Sequence, residues 1–344
     1  MELEHQTHDD KFSSEYIDLL SEKVGGKALA CSDEWFAPCS NLVKQGRGIS
    51  KPGLFVDTGQ WMDGWESRRS YGRERSSGLD HDWCILRLGI PGVIRGIDID
   101  TNHFRGNAPE FVSVEAANVK GDIDETTEWV EILSKSPSQP HSQNLFEINN
   151  DRQWTHVRLN IFPDGGVARL RIYGQPKANP DNFIEGELLD LASVTNGARS
   201  LLCSDMFFSS ADNMLMPNRG INMGDGWETK RRRDEHNDWC IIKLGLAGSI
   251  RKIILDTAHF KGNYPDRFSL LATHTDRDDI DANDIAWQTA IPETKLYADH
   301  EHLFIRELEV PPEAEFTHVK VNIYPDGGIS RLRVLGFPNW QTTV

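Results

Sequence analysis

The sequence predicts an all-β protein built as two tandem antiparallel jelly-roll β-sandwiches. Apolar residues recur with period two, the long helices of a doubly wound α/β fold are missing, and one ordered set of sequence blocks occurs twice. Short strands separated by Gly, Pro and Asp clusters in units of about 150 residues are the pattern of a sandwich or jelly roll.

In the first copy, Glu15 to Lys23 reads as a short helical piece stopped by Gly25-Gly26. Strands are expected at Cys84 to Leu88, Ile94 to Ile99 and Phe111 to Ala116. A further strand follows from Val157, Leu159 and Ile161 alternating with His156, Arg158 and Asn160. The second copy repeats these at Cys240 to Leu244, Ile250 to Leu255 and Phe268 to Ala272, and in the alternation of Val319, Val321 and Ile323. The expected organisation is an N-terminal segment 1–16, a first repeat 17–174, a linker 175–188 and a second repeat 189–340. The offset between copies is 172 at Cys31 and Cys203, 162 at Asp63 and Asp225, and 156 at Asp100 and Asp256. Copy one is therefore longer in two places, after Asn41 and in an Arg- and Ser-rich stretch between Glu66 and Asp82, as loops on a fixed scaffold would be.

The chain has 344 residues and a formal net charge of -16, from 37 Lys+Arg against 53 Asp+Glu. That balance argues against nucleic acid or an anionic membrane as the main partner. Five cysteines lack zinc-like or redox spacing and read as small buried residues in a reducing compartment. The polar N-terminus and the absence of a long apolar run predict a soluble, cytoplasmic protein, and the C-terminal Gln341-Thr342-Thr343-Val344 is not a peroxisomal signal.

Polar residues repeat along with the apolar ones, and these are the candidates for chemistry. Asp63-Gly64-Trp65-Glu66 returns as Asp225-Gly226-Trp227-Glu228. The tryptophans read as core or pocket-wall anchors. Glu66 and Glu228, beside a large aromatic, are candidates for a general acid or base with a raised pKa; an ion pair with the neighbouring arginines is the structural alternative. His103 and His259 stand in Asp-Thr-x-His-Phe-x-Gly-Asn blocks that also supply Arg105 or Lys261 and Asn107 or Asn263, a group able to bind a small polar ligand from one loop. Pro163-Asp164-Gly165-Gly166, repeated at Pro325-Asp326-Gly327-Gly328, has turn chemistry. Beyond it Arg169 and Arg171, like Arg331 and Arg333, lie two apart on one strand face and are suited either to capturing a carboxylate or to a salt bridge that fastens the turn. The motifs lack zinc-ligand spacing and no cofactor is expected from them; a divalent metal held by Asp and His brought together in space stays open.

These blocks, together with Ser32-Asp33, Phe36, Asn41-Leu42 and Trp61-Met62, resemble the allantoicase (allantoate amidinohydrolase) family over nearly the whole chain. The resemblance implies galactose-binding-like jelly rolls, a homo-oligomer, and hydrolysis of allantoate to ureidoglycolate and urea in purine degradation. For that chemistry the substrate carboxylate needs arginine, and the departing urea nitrogen and attacking water need an acid and a base. The expected catalytic set is His103, His259, Glu66, Glu228, Asp63 and Asp225. The expected substrate-binding set is Arg169, Arg331, Arg69, Arg231, Asn107, Asn263, Asp164 and Asp326. A non-catalytic tandem carbohydrate-binding protein is the alternative; it fits less well because such modules are commonly secreted and disulfide-linked.

Overall fold

The computed structural model describes residues 12–13, 15–72, 78–178, 183–277, 280 and 286–340. Residues 1–11 and 14 of the expected N-terminal segment therefore lie outside the described residues, as do parts of the linker and of the Arg- and Ser-rich loop and the C-terminal four residues. The chain divides into two compact units, Met1–Lys177 and Ala178–Val344.

Among the described residues unit one has twelve strands: β1 Ile17–Asp18, β2 Lys27–Cys31, β3 Phe55–Val56, β4 Gly59–Gln60, β5 Trp65–Glu66, β6 Asp82–Asp100, β7 Phe111–Ala117, β8 Val130–Pro137, β9 Gln143–Glu147, β10 Gln153–Phe162, β11 Gly166–Val167 and β12 Arg169–Pro176. Its main sheet path runs β1-β12-β6-β10-β7-β8, with β2 and β9 also on β6, and all of these pairs are antiparallel. Unit two repeats the scheme with β13 Leu189–Asp190, β14 Arg199–Cys203, β15 Trp227–Glu228, β16 Asp238–Asp256, β17 Arg267–Thr273, β18 Gln288–Lys295, β19 Glu301–Phe304, β20 Glu315–Tyr324, β21 Gly328–Ile329 and β22 Arg331–Pro338. Its path is β13-β22-β16-β20-β17-β18. The tandem all-β class is as the sequence indicates.

Two element readings need correction. Cys84 to Leu88 and Ile94 to Ile99 belong to one strand, β6, and the second copies to β16. The intervening Gly-Ile-Pro-Gly looks like a turn, yet the chain continues and bends. The first part of β6 pairs with β10 and β2 through Arg87, the ladder to β10 skips to Gly92, and the rest pairs with β12 and β9. Glycine and proline here mark a corner at which one strand serves both layers. The helical piece at Glu15 to Lys23 shrinks to a single 3₁₀ turn, Glu22–Val24, capped by the Ser21 side chain and stopped at Gly25. Ile17 and Asp18 pair instead with Gly174 and Tyr173, while Leu19 and Leu20 are completely buried. Sheet pairing and core burial outweigh local helix preference.

The longer first stretch of copy one contains the β3–β4 hairpin, which has no counterpart in the strand scheme of unit two. Away from such loops the cores match: Trp65 and Trp227, Phe104 and Phe260, and the inward residues of β10 and β20 are fully buried.

The ring of Phe104 lies directly on two glycines. A Cβ on Gly166 would stand 2.0 Å from that ring, and one on Gly64 would stand 2.7 Å from it and 2.6 Å from the Val167 carbonyl oxygen. Gly106, in the same loop immediately before Asn107, has open space around its Cβ position. Gly166→Ala is expected to lower stability by about 1–3 kcal/mol through overpacking, whereas Gly106→Ala should stay within about 0.5 kcal/mol. Urea unfolding followed by tryptophan fluorescence compares them; equal midpoints would contradict the wedge.

Candidate active site

Three loops meet around that wedge. β5 pairs with β11, placing Glu66 opposite Gly166, and the Gly166 amide donates to the Asn107 carbonyl at 2.7 Å. The Ser67 amide donates to the Gly165 carbonyl at 3.1 Å. On its other side the Glu66 backbone bonds Ala37 in both directions, at 3.1 and 3.3 Å. Trp65 is the anchor, its indole Nε1 donating to the Asp33 carbonyl at 2.8 Å. Unit two repeats this: Glu228 faces Gly328, the Gly328 amide donates to Asn263 O at 2.9 Å, and Trp227 Nε1 donates to Asp205 O at 2.9 Å.

Between the loops of unit one is an open pocket of about 720 Å³ that includes Glu66, Arg69, Asn107 and Asp164 in its wall. Its counterpart in unit two, about 470 Å³, includes Glu228, Arg231, Asn263 and Asp326. Each pocket is lined by residues of its own unit. The difference lies at the rim. Gly59 and Gln60 of the hairpin wall the first pocket, while Tyr264 stands in the second where Ala108 stands in the first.

Asn107 Nδ2 donates to Glu66 Oε1 at 2.7 Å, and Asn263 Nδ2 to Glu228 Oε1 at 2.5 Å. One oxygen of Asp164 accepts from the Ser70 amide at 2.6 Å, and one of Asp326 from the Arg232 amide at 2.8 Å. The second oxygen of each of these four carboxylates has no hydrogen-bond partner among the described residues. Burial pushes the Glu66 carboxyl above its ordinary range, against the opposing pull of the Asn107 hydrogen bond and the Arg69 charge. The structural alternative, an ion pair between the glutamate and a neighbouring arginine, does not form among the described residues. Arg68 turns to Asp33, with Nε to Oδ2 at 2.7 Å, and Lys230 to Asp205 at 3.1 Å. Arg69 and Arg231 are exposed at the pocket walls and form no ion pair among the described residues.

The remaining candidates lie elsewhere. Arg169 is buried, donating Nη2 to Asp63 Oδ2 at 2.7 Å and Nη1 to the Asp63 and Ala168 carbonyls. Arg331 does the same with Asp225, Nη2 to Oδ2 at 2.9 Å, and also bonds Asn218. Of the two readings left open for these arginines, the geometry favours a salt bridge, but its partners are Asp63 and Asp225 rather than the turn aspartates Asp164 and Asp326. A smaller cavity of about 280 Å³ touches Arg47, Arg169 and Arg171, but these cations pair with Asp100, Asp63 and Asp18 respectively. Neither histidine lines the two main pockets. His103 has a left-handed backbone (φ 70°) and its amide donates to His141 Nδ1; His259 (φ 74°) bonds the Gly220 carbonyl through Nε2 at 2.8 Å. A strand end brings each histidine near the right loop, but the left-handed turn carries its side chain away from the Asn-bearing end.

Phe36 and Phe208, also in the pocket walls, carried no role in the sequence reading; their common offset of 172 is the signal that marks them. Among the described residues, one group of potential metal ligands has atoms within 4.8 Å of one another, Cys31, Glu34 and Cys39. It contains no member of either pocket wall. No helix among the described residues is long and apolar enough to cross a membrane.

Fold and site define a duplicated β-sandwich protein with a loop-built polar pocket in each repeat. The allantoicase repeat model matches residues 17–177 and again 189–339. A probable allantoicase of Pseudomonas aeruginosa is 46% identical over 327 residues, covering 94% of this chain and 96% of that one. The allantoicase of Dictyostelium discoideum is 44% identical over 330 residues, covering 94% and 87%. The crystal structure of allantoicase from Saccharomyces cerevisiae is 37% identical with a TM-score of 0.78, over 95% of each chain. The chain belongs to the allantoicase family.

The Asp63–Arg169 pair carries a stability signature. Burial pushes the Asp63 carboxyl up, but the Arg169 and Ile49 hydrogen bonds and the Arg169 and Lys44 charges outweigh this and hold it below its ordinary value. A lowered folded-state pKa contributes stability above the unfolded value, and that contribution is lost as pH falls through the folded one. Asp63→Ala is expected to cost about 3–5 kcal/mol near neutral pH, because Arg169 is left buried and uncompensated. The penalty should shrink on acidification. Urea unfolding at several pH values measures it; a penalty that grows towards acid pH contradicts the pairing.

Proposed function

We propose that each repeat carries its own active site, with Glu66 and Glu228 as acid-base groups, and that both hydrolyse allantoate to ureidoglycolate and urea. The observation that carries this reading is the composition of the two pockets. Each presents a guanidinium, two carboxylate oxygens and an Asn side chain, on loops held from both sides. Allantoate has complementary groups: one carboxylate, two ureido groups rich in N–H donors, and a C–N bond to be broken.

In this reading Arg69 or Arg231 binds the substrate carboxylate. Asp164 or Asp326 accepts from ureido N–H groups and so orients the substrate. The carboxyl of Glu66, raised by burial, donates a proton to the departing ureido nitrogen; the C–N bond breaks and urea leaves. The resulting carboxylate then takes a proton from water as the water oxygen bonds to the central carbon. One water is consumed, its hydroxyl ends on ureidoglycolate and its proton replaces the one given to urea. Asn107, donating to the same glutamate, holds its orientation. Glu228 and Asn263 have the same relation. The non-catalytic carbohydrate-binding alternative is not favoured, since the named relatives over nearly full length are allantoicases.

A homo-oligomer and a cytoplasmic location belong to the same proposal. Exposed Phe207 and Phe208 support the first, and the free state of all five cysteines agrees with the second.

Urea release from allantoate tests the site. Glu66→Gln and Glu228→Gln should each remove one pocket's share of the rate, and the double variant should lose roughly 10²- to 10⁴-fold in kcat. Arg69→Ala combined with Arg231→Ala should lower kcat/KM about ten- to a hundredfold, the equivalent of an Arg-to-carboxylate hydrogen bond. Full activity in the double glutamine variant would reject the acid-base assignment. Complete inactivation by either single variant would reject two independent sites.

A further inference from the structure

The first repeat gathers sulfur and carboxylate ligands where the second does not. Cys31, the last residue of β2, is paired with Cys84 of β6. The chain then loops back, so that Cys39, opening the 3₁₀ turn Cys39–Val43, brings its thiol to Cys31 and to the Glu34 carboxylate. Sγ of Cys31, Sγ of Cys39 and an oxygen of Glu34 lie within 4.8 Å of one another. Cys84 is completely buried, with its thiol next to that of Cys39. Glu34 is oriented by the Cys39 amide, which donates to Oε2 at 2.9 Å. None of these cysteines is in a disulfide.

The second repeat supplies a comparison inside the same chain. Cys203 is paired with Cys240 in the corresponding place, so two of the thiols persist. At the shared offset of 172, Met206 stands for Glu34 and Ala211 for Cys39. Glu34 and Cys39, which complete the three-ligand group with Cys31, are thus both present in one repeat and both absent from the other. Generic packing explains the shared cysteines; it does not explain why a second thiol and a carboxylate come together with them.

We propose that Cys31, Glu34 and Cys39 form a binding site for a soft divalent cation of the zinc class. Two sulfurs and one carboxylate oxygen, with water as the fourth ligand, suit zinc, whereas calcium and magnesium take oxygen ligands. The site would close the loop 31–39 on itself. That loop carries Phe36, in the wall of the first pocket, and Ala37, whose backbone holds Glu66 from behind. The cation acts as a structural clamp on the first pocket, and the second pocket is held by the same strap without one.

Zinc analysis by mass spectrometry tests this on the full-length chain purified under reducing conditions, reconstituted with zinc and freed of excess metal. One zinc per chain is expected in the unaltered protein. Cys39→Ala should lose it, and this variant should fold because it installs the residue that the second repeat already carries at Ala211. Cys203→Ala should keep it. Reconstitution with cobalt should give a thiolate-to-metal charge-transfer absorption in the unaltered protein and none in Cys39→Ala. Unaltered protein that retains no zinc, equal zinc in Cys39→Ala, or a Cys31–Cys39 disulfide in the reconstituted protein would overturn the proposal.

Discussion

Each repeat depends on a phenylalanine ring lying against two glycines. Phe104 on Gly64 and Gly166, and Phe260 on Gly226 and Gly328, join three loops that are distant in sequence. The contact is nonpolar, but its result is polar. With the glycines held against the ring, the backbone of Glu66 reaches Gly166, and the Gly166 amide reaches the Asn107 carbonyl. A side chain at either glycine would push the loops apart by more than a hydrogen bond tolerates. The duplicated Asp-Gly-Trp-Glu, His-Phe-x-Gly-Asn and Pro-Asp-Gly-Gly blocks are therefore three parts of one joint.

The joint also divides the charged residues between two tasks. Some are consumed in holding it: the buried Arg169 and Arg331 close on Asp63 and Asp225, and the exposed Arg68 and Lys230 close on Asp33 and Asp205. Others, in the pocket walls, keep free valences: Glu66, Asp164 and Arg69, and in the second repeat Glu228, Asp326 and Arg231. A buried charge without a partner is costly, so Arg169 and Arg331 are paired, while the pocket set can wait for substrate. The two pockets keep this chemistry and vary at the rim, where the β3–β4 hairpin serves one and Tyr264 the other. Variation at the rim changes access without disturbing the joint.

Much of this is legible from residues alone. Period-two apolar alternation marks β10 and β20, and the kept polar blocks include every charged or amide group assigned to the pockets. Sequence reasoning stumbles where a local signal has two physical uses. Gly-Ile-Pro-Gly reads as a turn but forms the corner of β6. Glu15 to Lys23 has helical composition, yet it is drawn into the sheet edge and the core. Arg169 and His103 stand beside pocket residues in sequence and turn away from them in space, the first through strand alternation and a buried carboxylate, the second through a left-handed turn.

The sequence by itself determined that this is a tandem all-β protein of the allantoicase family with two copies of one polar residue set. Periodicity and repetition are linear properties and survive in a one-dimensional reading. Tertiary structure alone decided which arginines are spent inside and which face a pocket, that Asn107 rather than an arginine holds Glu66, and that Cys31, Cys39 and Glu34 of the first repeat come together. These depend on angles between strands and on which atoms are already paired. Such facts are settled by packing distances of a few ångströms, which spacing along the chain does not encode.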